Sequence, residues 1–181
     1  MVLGCGGVGL NVVQGAALTR AATIVAVDLQ QSKLDLAIHL GATHAHNLAD
    51  GPVGPTIAEL TNGSMADYVF VATGAPSALA GADALVGTMG AIVIVGMPAI
   101  GVAGQFDPGS LAGRNQRILG SKMGTSVIAR DIPTLLQRYH DGELELDGLV
   151  STTFHLDQIN EAMDGVRHGD ALRNVIVFDA D

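Results

Sequence analysis

The chain has 181 residues, 48% of them apolar, a net charge of −9 and a single cysteine. That length can bury a real core and suggests one full domain with a piece of another. The charge disfavours nucleic acid and anionic membrane surfaces as partners, one thiol rules out an internal disulfide and makes a thiol-tolerant cytoplasm the default compartment, and neither a membrane span of ~18 apolar residues nor a secretory leader is expected.

A short apolar run, Val2-Leu3, enters the spacing G-x-G-x-x-G at Gly4, Gly6 and Gly9, and an apolar helical stretch follows over residues 10–19. Strand, glycine turn and helix in that order suit the pyrophosphate of a dinucleotide. Gly4 turns the chain, Gly6 admits the phosphate to the backbone, and Gly9 lets helix and strand pack closely. The first free N–H groups of the helix then face the anion. With 24 glycines in the chain, the same pattern also arises as an ordinary strand-to-helix turn. The second strand favours the dinucleotide. Thr23 to Val27 is a β-branched run ending in Asp28, 19 residues after Gly9. A carboxylate there accepts hydrogen bonds from ribose hydroxyls and repels the extra phosphate of NADP, so NAD is the expected cofactor.

Strand and helix continue to alternate, as in βαβ units. Residues 32–40 predict a helix closed by Gly41, and His44 to Asn47 a short strand. The histidines of that strand share a face, but no acid or cysteine nearby joins them as a metal ligand. A short helix is expected at 55–60, a strand at 67–72, a helix at 76–86 and a strand at 91–95. Residues 101–114 read as loop and 117–121 as a sixth strand. After Gly124 the rhythm changes to a long amphipathic helix at 128–139, a strand at 149–155, a helix at 158–168 and a strand at 172–178. The expectation is an α/β fold, a doubly wound, parallel, six-stranded sheet over residues 1–125. Residues 126–181 would be a connecting helix and a return to another domain. Ligand would bind where the strands end.

Several runs are shared with one family in family order: Gly4-Cys5-Gly6-Gly7-Val8-Gly9, Ala26-Val27-Asp28 with Lys33, Leu40-Gly41-Ala42-Thr43, Ile94-Val95-Gly96-Met97-Pro98, Ile118-Leu119-Gly120-Ser121, Ile159-Asn160-Glu161-Ala162 and residues 169–175. On these the chain resembles the C-terminal, NAD-binding portion of the zinc-dependent medium-chain alcohol dehydrogenases. The resemblance implies that Gly4, Gly6, Gly7, Val8 and Gly9 cradle the pyrophosphate, and that Asp28 and Lys33 hold the adenosine ribose. It implies that Ala72 and Thr73 line the channel, and that Val95, Met97, Ser121 and Met123 fix the nicotinamide end. Arg173 matches a late arginine of the family, whose fork suits a pyrophosphate oxygen.

The resemblance also implies hydride transfer between NAD and an alcohol, aldehyde or thiol-adduct alcohol, and a homo-oligomer joined along the edge strand at Gln116 to Leu119. The family's zinc ligands precede the glycine turn. This chain has only Cys5, which reads as a packing residue, so zinc is expected only in a full-length parent, and the chain alone should bind NAD without turnover. After Met1 only Val2 and Leu3 precede Gly4, a short central strand, which suggests a fragment. An isolated nucleotide-binding or assembly module is the alternative. No Tyr-x-x-x-Lys of short-chain dehydrogenases is present. A methyltransferase would not need Val95-Gly96-Met97 or Arg173, and zinc-free quinone reductases lack an acid where Asp28 sits.

Overall fold

A computed structural model describes residues 1–169 and 171–178. Strand and helix alternate through the first of its two units, Met1–Ser126. In order these are β1 (Val2–Leu3), α1 (Gly7–Leu18), β2 (Val25–Asp28), α2 (Gln31–His39), β3 (His44–Asn47), α3 (Gly54–Leu60), β4 (Ala66–Val71), α4 (Pro76–Leu79), α5 (Ala82–Leu85), β5 (Val86–Ile94), α6 (Pro108–Gly113) and β6 (Arg117–Gly120). The six strands form one sheet in the order β3-β2-β1-β4-β5-β6. Every neighbouring pair is parallel. Strand order reverses between β1 and β4, the switch point at which such sheets open a crevice for ligand.

Ile24, Val25, Ala26 and Val27 are all buried, as a parallel strand covered on both faces requires. One core gathers Leu3, Val25, Val27, Val69, Val71 and Ile92 from the sheet with Ile57 of α3 and Ala82 of α5. Leu10 and Val13 of α1 and Leu34 and Ala37 of α2 are buried as well. Each of the larger side chains contributes roughly 1.5–3 kcal/mol by leaving water.

Four sequence expectations change in this unit. The helix expected at 76–86 is two single turns, because Gly81 takes a left-handed conformation (φ 78°) and Ala80 before it is extended. Val86 then already belongs to β5, which begins five residues before position 91. Its pairing jumps from Ala66↔Val86 to Tyr68↔Ala91, and Met89 sits at φ 62° in the interruption. Within the loop expected at 101–114, α6 forms because Asp107 accepts the Gly109 N–H at 2.8 Å and Pro108 occupies the first turn. Finally, α1 starts at Gly7 rather than Leu10, which places Gly9 inside the helix.

The second unit, Val127–Asp181, holds α7 (Ile128–His140), a 3-10 turn at Asp147–Leu149, β7 (Thr152–Phe154), α8 (Ile159–His168) and β8 (Asn174–Ile176). β7 and β8 pair in parallel, Thr152 opposite Asn174. Both are shorter than expected, and the 3-10 turn takes up Leu149, the first residue of the strand expected at 149–155. The Tyr139 hydroxyl donates to Asp147 at 2.8 Å, tying α7 to that turn. Asp170 of the closing motif and residues 179–181 lie outside the described residues.

Candidate functional site

The glycine turn is built from two steric demands. Gly4 follows β1 at φ 92°, a conformation that L side chains resist. Its amide donates to the Val27 carbonyl at 2.8 Å, which joins the turn to β2. Gly9 lies in the first turns of α1, and a Cβ there would overlap the Gly4 carbonyl oxygen. The helix therefore starts directly against the end of the strand. Around Gly6, the N-cap of α1, an added Cβ would meet nothing within 4 Å. Val8 is exposed. Gly6, Gly7 and Val8 thus present open backbone at a 12-residue helix N-terminus, the arrangement that receives an anion.

Asp28 ends β2 beside this turn. Its Oδ2 accepts the Cys5 N–H at 2.7 Å, and its Oδ1 accepts the amides of Leu29 at 2.8 Å and Gln30 at 3.0 Å. Three main-chain amides thus fix the carboxylate and use three of its about four acceptor positions. The sequence placed Asp28 at the site but missed that Cys5, inside the glycine motif, supplies one of the holding amides. Only the folded register Leu3↔Val27 brings the two together. Asn47 stands opposite Asp28 on β3 and donates to Gln31 at 3.3 Å. Neither residue carries a motif that would have singled it out.

The Cys5 side chain is buried, with its Sγ 3.7 Å from the Val27 carbonyl oxygen. Burial, and after it the Asp28 carboxylate, pushes the thiol up to about 12, against smaller opposing effects of the Val27 hydrogen bond and Lys33. The thiolate is the nucleophile and the metal ligand, so Cys5 serves as packing. A raised thiol pKa means that the folded chain holds the proton longer than the unfolded one. Stability should be unaffected below about pH 9 and fall above it, by up to about 1.4 kcal/mol per pH unit. Urea unfolding at pH 8, 9.5 and 10.5 should show that slope, and Cys5→Ala should remove it.

The remaining strand ends lie side by side because all the strands are parallel and paired with one another. Ala72 donates to Leu3 at 2.8 Å, Val95 and Gly96 to Val71 at 3.0 and 2.8 Å, and Ser121 to Ile94 at 2.9 Å. These bonds set Ala72, Thr73, Val95 and Ser121 just past the carboxyl ends of β4, β5 and β6. The Thr73 hydroxyl accepts the Ala75 amide at 3.2 Å. Met97 and Met123 are 77% and 76% exposed. Lys33 lies in α2. Arg173 belongs to the second unit, where it is exposed and its backbone pairs with Ser151. His46 is held by Gly51 at 3.0 Å and Thr56 at 3.1 Å, and His44 contacts Thr43 at 2.9 Å. Among the described residues no three His, Cys, Asp or Glu side chains come together as a metal site. No described helix is long and apolar enough to cross a membrane.

Strand order, glycine turn and terminal acid define a doubly wound Rossmann domain. The zinc-binding dehydrogenase family matches residues 7–141. The chain belongs to that family. It is 35% identical over 184 residues to the NDMA-dependent alcohol dehydrogenase of Amycolatopsis methanolica, covering 100% of this chain and 49% of the relative. The benzyl alcohol dehydrogenase structure from Acinetobacter calcoaceticus superposes with a TM-score of 0.93 at 33% identity, over 98% of this chain and 49% of that one. A protein from Sinorhizobium meliloti 1021 solved bound to NADP has a TM-score of 0.81 at 27% identity, over 90% of this chain and 47% of its own. The chain thus spans about half the length of the relatives it matches.

Proposed function

We propose that this chain is the NAD-binding portion of a zinc-dependent alcohol dehydrogenase that moves hydride between an alcohol, aldehyde or thiol-adduct alcohol and NAD. The observation that carries this reading is Asp28, fixed by three amides at the end of β2 beside an open glycine turn. The residues fit the cofactor: Gly9 keeps the turn tight, Gly6 leaves it unobstructed, and a carboxylate faces the place of a ribose. Bound NAD would supply the hydride acceptor. The backbone of Gly4, Gly6, Gly7, Val8 and Gly9 would hold its pyrophosphate, and Asp28 with Lys33 its adenosine ribose. Ala72 and Thr73 would line the channel, Val95, Met97, Ser121 and Met123 would position the nicotinamide end, and Arg173 would neutralise a phosphate oxygen.

In this reading residues 1–125 are the cofactor domain and residues 126–181 the return segment of a catalytic domain. Zinc and the proton relay belong to the rest of a full-length parent. No step of the reaction is assigned to this chain's own side chains. NAD should bind, weakly, and the chain with NAD, added zinc and a panel of alcohols should give no NADH absorbance above background. Sustained turnover would place a catalytic centre within these residues. Binding without turnover also fits an isolated nucleotide-binding module. Restoring activity with the relatives' other half separates the two.

The partner in solution would be a second copy. Ile118 and Leu119 are exposed on β6, the edge strand, and an open apolar edge invites pairing. Sedimentation velocity from about 5 to 500 μM should show a dimer, and Ile118→Lys should shift it toward monomer. A clean monomer throughout would remove this proposal.

A further inference from the structure

The first unit holds a cavity of about 380 Å³ bounded wholly by residues between positions 63 and 114. Ser64 and Met65 enter it from the connection before β4, Ala84 from α5, Gly87 and Thr88 from β5, and Arg114 from the end of α6. The strands are parallel, so this cup, at the amino ends of β4 and β5, lies at the edge of the sheet opposite the Gly4 to Gly9 turn. Its polar side chains are Ser64, Thr88 and Arg114, and no acid lines it. All three are exposed. Among the described residues, none of their hydroxyl or guanidinium groups makes a hydrogen bond or ion pair. The chain carries 18 acidic residues against nine lysines and arginines, yet no described carboxylate engages Arg114.

The backbone holds these three groups to one place. A Cβ at Gly87 would overlap the Ser64 carbonyl oxygen, so the loop before β4 lies directly on β5. The Arg114 amide donates to Ser110 at 3.0 Å, and its carbonyl accepts the Met89 N–H at 2.8 Å. That bond fastens the end of α6 to the interruption in β5. Thr88 belongs to the same interruption, where pairing jumps from Ala66↔Val86 to Tyr68↔Ala91. Irregularities of this kind re-aim a side chain away from the regular pleat.

We propose that this cup binds a small phosphomonoester, with its phosphoryl group taken by Arg114, Ser64 and Thr88 and its organic part resting on Met65 and Ala84. A phosphomonoester brings nearly two negative charges and three terminal oxygens. The guanidinium fork matches two of those oxygens, and the two hydroxyls supply donors to the third and to the remaining lone pairs. A carboxylate, with one charge and two oxygens, would leave part of this donor set unused. The same holds for each phosphate of a pyrophosphate diester, so the cup differs in its choice of ligand from the glycine turn. A phosphoryl group fills only part of the cavity, and the half-buried Met65 with Ala84 gives the rest an apolar wall.

The test is an NMR titration of the nitrogen-15-labelled 181-residue chain with phenyl phosphate and, separately, inorganic phosphate, with chloride holding the ionic strength constant. The expected result is a saturable shift of the Ser64, Met65 and Thr88 amides, with a Kd of about 1 mM or tighter for phenyl phosphate and at least threefold weaker for inorganic phosphate. Arg114→Gln should weaken phenyl phosphate at least tenfold, and Arg114→Lys, which keeps the charge without the fork, should fall between. The paired variant Ser64→Ala, Thr88→Ala reads the same site with its charge intact and should lose affinity severalfold. Phosphate that enters the glycine turn is reported by the amides of Gly6, Gly7 and Val8, whose response should be the same in all variants. Absence of saturation at Ser64 and Thr88 by about 20 mM phenyl phosphate would overturn the proposal. Unchanged affinity in Arg114→Gln or in the paired variant would do so too. Equal affinity for the two probes would mark an adventitious ion only and overturn the assignment to an ester. These shifts are read at the opposite edge of the sheet from the glycine turn, so a failure to bind NAD would leave them unaltered.

Discussion

Gly9→Val is expected to destroy the glycine turn. Its side chain would have to occupy space held by the Gly4 carbonyl oxygen, with the Ala72 side chain 3.3 Å from the new Cβ. Both obstacles belong to strand ends inside the sheet, so neither can rotate away as a flexible side chain would. Relief requires α1 to slide off β1, which exposes Leu10 and Val13, both buried. Overpacking alone costs about 1–3 kcal/mol, and a backbone obstacle adds to that. The whole stability of a domain is about 5–15 kcal/mol. Gly9→Val should therefore lower the urea midpoint sharply or leave the chain unfolded, and Gly6→Ala, with open space around it, should unfold like the wild type. A Gly9→Val chain as stable as the wild type would mean that helix and strand are not packed as described.

Replacing Asp28 should produce the second large effect, on cofactor choice. Asp28→Ser removes a charge-assisted acceptor for a ribose hydroxyl, on the order of 1.5–3 kcal/mol, or one to two decades of NAD affinity. It also removes the repulsion of a 2′-phosphate, so NADP should lose less than NAD or gain. Since the same carboxylate holds the Cys5 amide at 2.7 Å, some stability will be lost as well. Asp28→Asn, which keeps the shape and an acceptor, should shift the preference with a smaller loss of stability. Titrating each variant with both cofactors gives the ratio directly. Equal binding of NAD and NADP by the unaltered chain would reject Asp28 as the selector, and the NADP-bound Sinorhizobium protein makes that measurement worth doing first.

The sequence alone determined what local chemistry can dictate. Val2-Leu3, Thr23 to Val27 and Asp67 to Val71 are β-branched or apolar runs between turns, and parallel strands buried on both faces leave that signature. The doubly wound sheet followed from their alternation with helices, and the candidate site from the rule that ligand binds past the strand ends. Elements set by backbone conformation at single residues were harder to read. Gly81 in its left-handed state splits a stretch whose composition is helical. Asp107 and Pro108 start a helix in a stretch rich in glycine, and their capping signal was present but outweighed by composition.

Tertiary structure decided the rest, because it depends on which strands become neighbours. Cys5 and Asp28 lie 23 positions apart, and nothing in either residue announces that one amide holds the other's carboxylate. The Leu3↔Val27 register does that. The elevated thiol of Cys5 is likewise a property of its surroundings, since burial and a nearby carboxylate act only in the folded chain. Spacing along the chain thus specified the residue types, while pairing across the sheet fixed their partners, exposure and charge state.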